Sequence, residues 1–293
     1  MNRALYAAAS GMAAQQMNLD TISDNLANAD VAGFKGATMT FADIAAPGES
    51  GLGTQALGER TLFGQGKLEK SGGAFDVAID GPGFFILDDG SGRRAYTRDG
   101  EFARAADGTL RNAQGWRLEG VRVPQDAISI SVDERGGVIA ATQHGPRIAG
   151  HIGVAEFAAP DGLAHLGGTI FRATPACGAM HVVMPGAPDG PSVKFGMLER
   201  SNVSIVEAMM QILSAQRAYE ANAKGVQAAD EMMRIGASPT ISTVDSAADP
   251  HVTGAFEALL LAPMFSTFEQ SLGPVASTVF ESTLANLLER GDG

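Results

Sequence analysis

Apolar side chains recur every seven residues near the start of the chain. Positions three or four residues apart share one face of an α-helix, so this spacing predicts an amphipathic helix of about 25 residues. Gly33 is expected to end it. The stripe is narrow, and a narrow stripe suits a partner helix better than a broad core. Its members, the predicted contact residues of this helix, are Leu5, Met12, Leu19, Ile22 and Leu26.

A second heptad pattern lies between residues 201 and 234. Ser204 and Glu207 have the spacing of a capping box, so the helix is expected to begin between Val203 and Ile205. Two interpretations remain open: the two helices form an antiparallel hairpin in one domain, or they pack against helices of other molecules. The predicted contact residues of the second helix are Ile205, Met209, Ile212, Tyr219, Val226 and Met233.

The middle of the chain has a period of two. Residues 75–80 and 128–132 alternate apolar and polar side chains, and a turn sequence separates residues 128–132 from Val138 and Ile139. Asp-Gly pairs supply further turn residues. We therefore predict an antiparallel β domain over residues 75–200, preceded by a partly β connector over residues 36–74.

The predicted fold class is α+β. Residues 1–35 and 201–234 are expected to pair in a discontinuous, coiled-coil helical domain into which the antiparallel β domain is inserted. Residues 235–252 have the composition of a linker. Residues 253–293 follow as a small C-terminal helical tail, broken at prolines.

Composition removes several function classes. The chain has 33 acidic and 21 basic residues in 293, a formal net charge of −12, so nucleic acid is not an expected partner. There is one cysteine, which excludes an internal disulfide framework. No apolar stretch is long enough to predict a membrane span, and the first residues do not resemble a cleaved signal peptide.

Site chemistry is not evident in the sequence. The five histidines are dispersed without metal-ligand spacing, and Cys177 has no neighbouring base in the sequence. Most carboxylates stand in turns, where Asp bonds to the backbone. We therefore predict no catalytic residues, no cofactor and no metal, and the two heptad stripes favour a self-assembling subunit.

Three groups of residues resemble the flagellar basal-body rod and hook family of bacterial axial proteins. The first group spans residues 8–12, 20–28 and 33–35, the second residues 65–68, 75–85 and 96–102, and the third residues 201–203, 207–209 and 216–220. The motif residues carried over are Asn25, Leu26, Asn28, Gly33, Phe34, Tyr96, Arg98, Asp99, Gly100, Ser201, Asn202 and Arg217.

The resemblance implies a non-enzymatic structural subunit of the flagellar rod, most similar to distal rod proteins, with proximal rod proteins second. Such a subunit is expected to leave the cell through the flagellar export apparatus without a cleaved signal and to polymerise helically in the periplasm, transmitting torque to the hook. Its implied partners are copies of itself, other rod proteins, the hook protein and the P- and L-ring proteins. An assembly or capping factor that binds rod subunits through its C-terminal tail is the alternative, and a wall-degrading enzyme is a more distant one.

Overall fold

A computed structural model of the chain describes residues 3–44, 53–187 and 190–237. The predicted tail, residues 253–293, and nearly all of the predicted linker, residues 235–252, lie outside these residues. Every strand pair in the described ranges is antiparallel. The prediction of an α+β chain with a large antiparallel β domain between two helices is confirmed.

The described ranges contain two α-helices, eighteen β-strands and two 3₁₀ helices. The helices are α1 (Arg3–Ala27) and α2 (Ile205–Ala237), and the 3₁₀ helices are Pro160–Gly162 and Pro175–Cys177. The strands are β1 (Ala37–Asp43), β2 (Thr54–Thr61), β3 (Leu68–Lys70), β4 (Val77–Asp80), β5 (Phe84–Asp88), β6 (Arg94–Thr97), β7 (Ala103–Arg104), β8 (Thr109–Arg111), β9 (Arg117–Arg122), β10 (Ala127–Val132), β11 (Gly137–Thr142), β12 (Gly145–His151), β13 (Val154–Phe157), β14 (Ala164–Gly167), β15 (Ile170–Arg172), β16 (Met180–Val183), β17 (Ser192–Phe195) and β18 (Met197–Glu199).

Helix α1 has the predicted length but not the predicted end. It runs for 25 residues and stops at Ala27, so the expectation that Gly33 ends it is wrong. The helical hydrogen-bond ladder stops after Asn28, whose N–H donates to the Asp24 carbonyl at 3.1 Å, because the next N–H, of Ala29, donates to the Leu26 carbonyl only three residues back, at 3.2 Å. The Asn28 side-chain amide also donates to the Asp24 carbonyl, at 2.9 Å. Turns then lead to Gly33.

Helix α2 begins where the capping box predicts. Its first residue is Ile205, and the Ser204 hydroxyl accepts a hydrogen bond from the Glu207 backbone N–H at 3.4 Å. The helix continues for 33 residues, about 50 Å at 1.5 Å per residue. In the described ranges no helix is both long and apolar enough to cross a lipid bilayer.

The connector contains a β1–β2 hairpin that packs on α1. Asn25 fixes its start, since its side chain accepts from the Ala37 N–H at 2.8 Å and donates to the Ala37 carbonyl at 2.7 Å. The Thr21 hydroxyl donates to the Glu59 carboxylate at 2.7 Å, which attaches the returning strand to the same helix. These bonds join α1 to the residues that follow it.

The β domain is built around β5. The largest sheet has the strand order β10-β11-β12-β9-β5-β6-β15-β14, with β13 also pairing with β5. Phe85 and Leu87 point into one core, and Phe84 and Ile86 point into a second, aromatic one. A strand covered on both faces is expected to be a continuous apolar run, as residues 84–87 are. The hairpin of β10 and β11 confirms the predicted strand, turn and strand.

Candidate assembly site

Residues from all three sequence motifs meet at one junction, where both helices join the β domain. Gly33 and Lys35 come from the exit of α1, Arg98 from the end of β6, and Glu199 from β18, just before α2. The Gly33 N–H donates to the Glu199 carbonyl at 2.7 Å, which connects the α1 exit directly to the segment that enters α2.

The centre of the junction is a buried ion cluster of Lys35, Arg98 and Glu199. The Glu199 side chain is 0% exposed; its Oε1 lies 2.5 Å from Lys35 Nζ, and its Oε2 lies 3.3 Å from Arg98 Nη1. The Gly66 N–H also donates to Oε1, at 2.7 Å. One carboxylate therefore neutralises part of the charge of two buried cations.

Backbone oxygens accept further hydrogen bonds from the two cations. Lys35 donates to the Gly64 carbonyl at 2.8 Å, and Arg98 donates to the Gly81 carbonyl at 2.6 Å. Burial lowers the pKa of both side chains, and the charge of Glu199 opposes this change. A buried charge lowers the free energy of unfolding unless it is paired. The Glu199 carboxylate, which lies between the two cations, therefore stabilises the junction.

Asn202 fixes the start of α2 against the exit of α1. Its Oδ1 accepts from the Gly36 N–H at 2.8 Å, and its Nδ2 donates to the Leu62 carbonyl at 2.6 Å. The neighbouring Ser201 hydroxyl accepts from the Val203 N–H at 3.2 Å. Both motif residues thus hold the helix entry through main-chain contacts.

Gly33 is required at the junction by its conformation and by a close approach. Its φ is +66°, and a Cβ there would lie 2.2 Å from the Asp99 amide nitrogen. Gly100, the other motif glycine, is required by contact alone, because a Cβ would lie 1.6 Å from the Val77 carbonyl oxygen. Side chains are excluded where the motif segments cross.

Gly33→Ala is expected to destabilise the chain more than Gly196→Ala does. Gly196 has nearly the same φ, +68°, with no atom within 4 Å of a built Cβ among the described residues, so it reports the conformational cost alone. That cost is about 1–2 kcal/mol. The overlap with Asp99 should add about 1–3 kcal/mol to the loss in free energy of unfolding, measured in urea. Equal losses in the two variants would contradict a steric role for this crossing.

Asp99 gives the junction a pH dependence. Burial raises the pKa of its carboxyl to about 6, although a hydrogen bond from the Glu101 N–H, at 2.9 Å, opposes the change. The folded chain then holds a proton that the unfolded chain, with a pKa of 3.8, has released. The stabilisation is complete below the unfolded pKa and is lost as the pH rises through about 6.

Between pH 5 and pH 7.5, the free energy of unfolding should therefore fall by about 1 kcal/mol more in the original chain than in Asp99→Asn. The Asn side chain keeps an oxygen for the Glu101 N–H but does not titrate, so it is the matched control. Urea unfolding at several pH values measures both chains. Parallel profiles would show that Asp99 titrates near its ordinary pKa.

The two helices lie side by side and run in opposite directions. Ala8 and Gly11 of α1 approach Gly225 and Asn222 of α2. A cleft of about 370 Å³ separates the helices near the junction, lined by polar and small residues that include Gln15, Asn18, Gln211, Ser214, Ala215 and Ala218.

The predicted contact residues differ in exposure. On α1, Ile22 is buried, and Leu5, Met12, Leu19 and Leu26 are half-buried. On α2, Ile212 and Val226 are half-buried, while Ile205, Met209, Tyr219 and Met233 are exposed. The buried positions of α2 are instead three alanines, spaced by seven and then fourteen residues: Ala208, Ala215 and Ala229.

The first turns of α2 also carry apolar side chains on the face opposite these alanines. Val206, Met210 and Leu213 are exposed there, beside the exposed Ile205 and Met209. At 100° per residue, these five positions fall on one side of the helix, and the alanines fall on the other. We name this group the outer face of α2; in the described chain it has no cover.

The remaining motif residues have separate places. Tyr96 is buried in the aromatic core, where its hydroxyl lies 3.0 Å from Met180 Sδ, and Phe34 is buried beside the junction. Arg217 is exposed on α2. Sequence reasoning missed Glu199, and the signal available was an acidic residue within an apolar strand directly before the Ser201-Asn202 motif. It also missed Val206, Met210 and Leu213.

Comparison with known proteins decides which family carries these features. Models of the flagella basal body rod protein, the flagellar hook protein FlgE/F/G D1 domain and the flagellar basal body rod FlgEFG protein C-terminal match residues 5–35, 78–140 and 195–238. The flagellar basal-body rod protein FlgG of Borreliella burgdorferi is 36% identical over 258 residues, 80% of this chain and 97% of the relative. The chain belongs to the flagellar basal-body rod protein family.

Two further rod proteins show the range of this family likeness. FlgG of Agrobacterium fabrum is 36% identical over 255 residues, 80% of this chain and 97% of the relative. FlgF of Caulobacter vibrioides is 30% identical over 246 residues, 80% of this chain and 96% of the relative. The resemblance inferred from the motifs is confirmed, and this rod-family chain is a structural subunit of the flagellar basal body.

The findings do not favour the alternative of a capping factor. That alternative depends on the tail, which lies outside the described residues, and the matched family models end at residue 238. Within residues 3–44, 53–187 and 190–237, no group of three or more His, Cys, Asp or Glu side chains is placed to hold a metal ion. The relatives are rod proteins by name, and the junction and helix faces are the features this chain offers for assembly.

Proposed function

We propose that this rod-family subunit polymerises through its two long helices, which act together as one discontinuous, coiled-coil helical domain in the core of the rod. The observation that carries the proposal is the outer face of α2. Five apolar side chains are exposed to solvent there, on a helix whose opposite side already faces α1. Covering apolar surface of this kind with a second helix stabilises the assembly by roughly 25 cal/mol per Å² of area buried.

The β domain is then the outer layer of the rod, and torque passes through many contacts of modest strength. The buried ion cluster supports this role, because it fixes the direction in which both helices leave the β domain. In this proposal the chain is not an enzyme and binds no cofactor. It passes the export apparatus without a cleaved signal and assembles in the periplasm with its own copies, other rod proteins, the hook protein and the P- and L-ring proteins.

The distal part of the rod is the proposed position. The two FlgG relatives described above, at 36% identity, support it over the FlgF relative at 30%. Cryo-electron microscopy of isolated basal bodies should place this subunit in the segment next to the hook. Density for it in the segment next to the inner membrane would assign it to the proximal rod.

Self-assembly is tested with the purified full chain. We expect soluble monomers at low concentration and rod-like polymers above a critical concentration. Sedimentation and electron microscopy detect the polymers. In flagellated cells, the chain should remain in purified basal bodies. A chain that stays monomeric at all concentrations and is absent from basal bodies would refute the proposal.

A further inference from the structure

The outward face of β10, β11 and β12 carries no charge. The strand register aligns Ser131, Ile139 and Ile148 in one row across the three strands. Ser129, Ala141 and Pro146 form the next row. All six are exposed, Ile148 at 78% and Ile139 at 40%. The residues between them, Ile130, Ala140 and Arg147, form the row of the opposite face, in which Ile130 and Ala140 are buried and Arg147 is exposed. We name the six residues of the first two rows the hairpin face.

Such a face is unusual on this chain, which has a net charge of −12. Exposed sheet faces normally carry charged side chains that keep the protein in solution. Strand β10 is also the last strand of its sheet, and its sequence, residues 127–132, contains none of the Lys, Pro or charged residues that protect an open edge. Both features indicate that a partner covers this part of the molecule after assembly.

Apolar surface continues around β10. A groove of about 410 Å³ lies on its other side, and its lining includes Phe75, Ile128, Ser129, Ile130 and Phe195, together with one charged residue, Arg104. Ile128 is exposed, and Ser129 belongs to both the groove and the hairpin face. The mainly apolar surface therefore includes a flat, uncharged part and a concave part that carries one arginine, joined along one strand.

We propose that the hairpin face, with the adjoining groove, is a docking surface for the β domain of a second copy of this chain in the assembled rod. The proposal rests on the proposed function, because it requires that copies polymerise. It adds a contact in the outer layer, separate from the outer face of α2.

Charge identifies the occupant as a second copy. A basic partner would be attracted by carboxylates, and the six residues of the hairpin face include none. A second copy carries the same −12, so two copies repel each other wherever their acidic surfaces meet. The contact between them that costs least is one made through neutral surface, where no carboxylate is desolvated.

The size of the hairpin face explains why this contact is made only in a polymer. Stable interfaces use roughly 20–30 residues on each side, several times the six found here. Alone it cannot hold a dimer, but in a rod each copy is already held by its helices, and the effective concentration of the neighbouring β domain is high. We therefore expect no dimer in solution through this face.

The test compares Ile148→Asp with Gln143→Asp in the full chain. Gln143 is exposed in the turn of the same hairpin, so its variant adds the same charge without removing apolar surface. Because Ile148 is exposed, both variants should unfold at the same temperature as the original chain. Ile148→Asp should raise the critical concentration for polymerisation at least tenfold, and Gln143→Asp should raise it less than twofold.

Equal shifts in the two variants, or no shift in Ile148→Asp, would overturn the proposal. A photo-reactive side chain at position 148 gives an independent readout that does not depend on the Asp variant. In basal bodies it should yield an adduct of twice the 30.2 kDa chain. An adduct with a different protein, or none in assembled rods, would also overturn it. Failure of the original chain to polymerise would instead count against the proposed function.

Discussion

Glu199→Gln is expected to lower the free energy of unfolding by about 3–5 kcal/mol, because it leaves the Lys35 and Arg98 cations buried without an anion. The Gln side chain has nearly the same volume and still offers an oxygen to the Gly66 N–H. The loss therefore reports charge and not a cavity. Urea unfolding, followed by circular dichroism, measures it.

The matched control is Asp30→Asn. Asp30 pairs with Arg200 at 3.1 Å, and so connects nearly the same two segments, but this ion pair is exposed. An exposed pair contributes at most about 1 kcal/mol. If both variants lose the same free energy of unfolding, the buried cluster stabilises the chain no more than the exposed ion pair does.

A second variant separates the charge of the cluster from its packing. Lys35→Met should cost less in the Glu199→Gln background than in the original chain, because it removes a cation that has already lost its partner. The difference between the two backgrounds is the coupling energy of the pair, expected in the range of about 0.5–3 kcal/mol. Identical costs in both backgrounds would show that Lys35 and Glu199 act independently.

The second large effect is expected on assembly. Val206→Asp combined with Leu213→Asp should abolish polymerisation of the full chain, since it places two carboxylates in the centre of the outer face of α2. Both side chains are exposed, so the free energy of unfolding of the monomer should remain within about 0.5 kcal/mol of that of the original chain. Sedimentation and electron microscopy measure the polymer.

Gln211→Asp combined with Ser214→Asp is the control for this variant. Both side chains are exposed on α2 and border the cleft on the side toward α1, so the helix receives the same two residues and the same added charge outside the outer face. This control should polymerise at a concentration close to that of the original chain. Rods formed equally well by the Val206 and Leu213 variant would refute the role of the outer face.

Local patterns in the sequence predicted the main elements well. The period of seven placed both long helices, the period of two placed the strands around residues 128–139, and the Ser204 cap placed the start of α2. Each of these signals acts over a few residues and depends on backbone geometry. The end of α1 was predicted less well, because the helical hydrogen bonds stop after Asn28, before the chain reaches Gly33.

The junction could be predicted only in part. The motifs pointed to Arg98 and Gly33, but Glu199 bonds to a lysine 164 residues away, and no periodicity reports such a pair. The side of α2 that packs against α1 could not be predicted, for a different reason. A spacing of seven fits both the predicted stripe and the residues Val206 and Leu213, so a heptad alone does not say which side of α2 meets α1.

The alanines along α2 determine how the two helices respond to load. Ala208, Ala215 and Ala229 present small side chains to the interior, where the larger Val226, on the same side of the helix, is half-buried. Side-chain hydrogen bonds attach α1 to the β1–β2 hairpin at Ser10 and Asn25, and Asn202 attaches the start of α2 to Gly36 beside the junction. Because small side chains interlock less than large ones, we expect the two helices to shift slightly relative to each other away from the junction. Identical subunits could then fit neighbours at slightly different angles while the shaft turns.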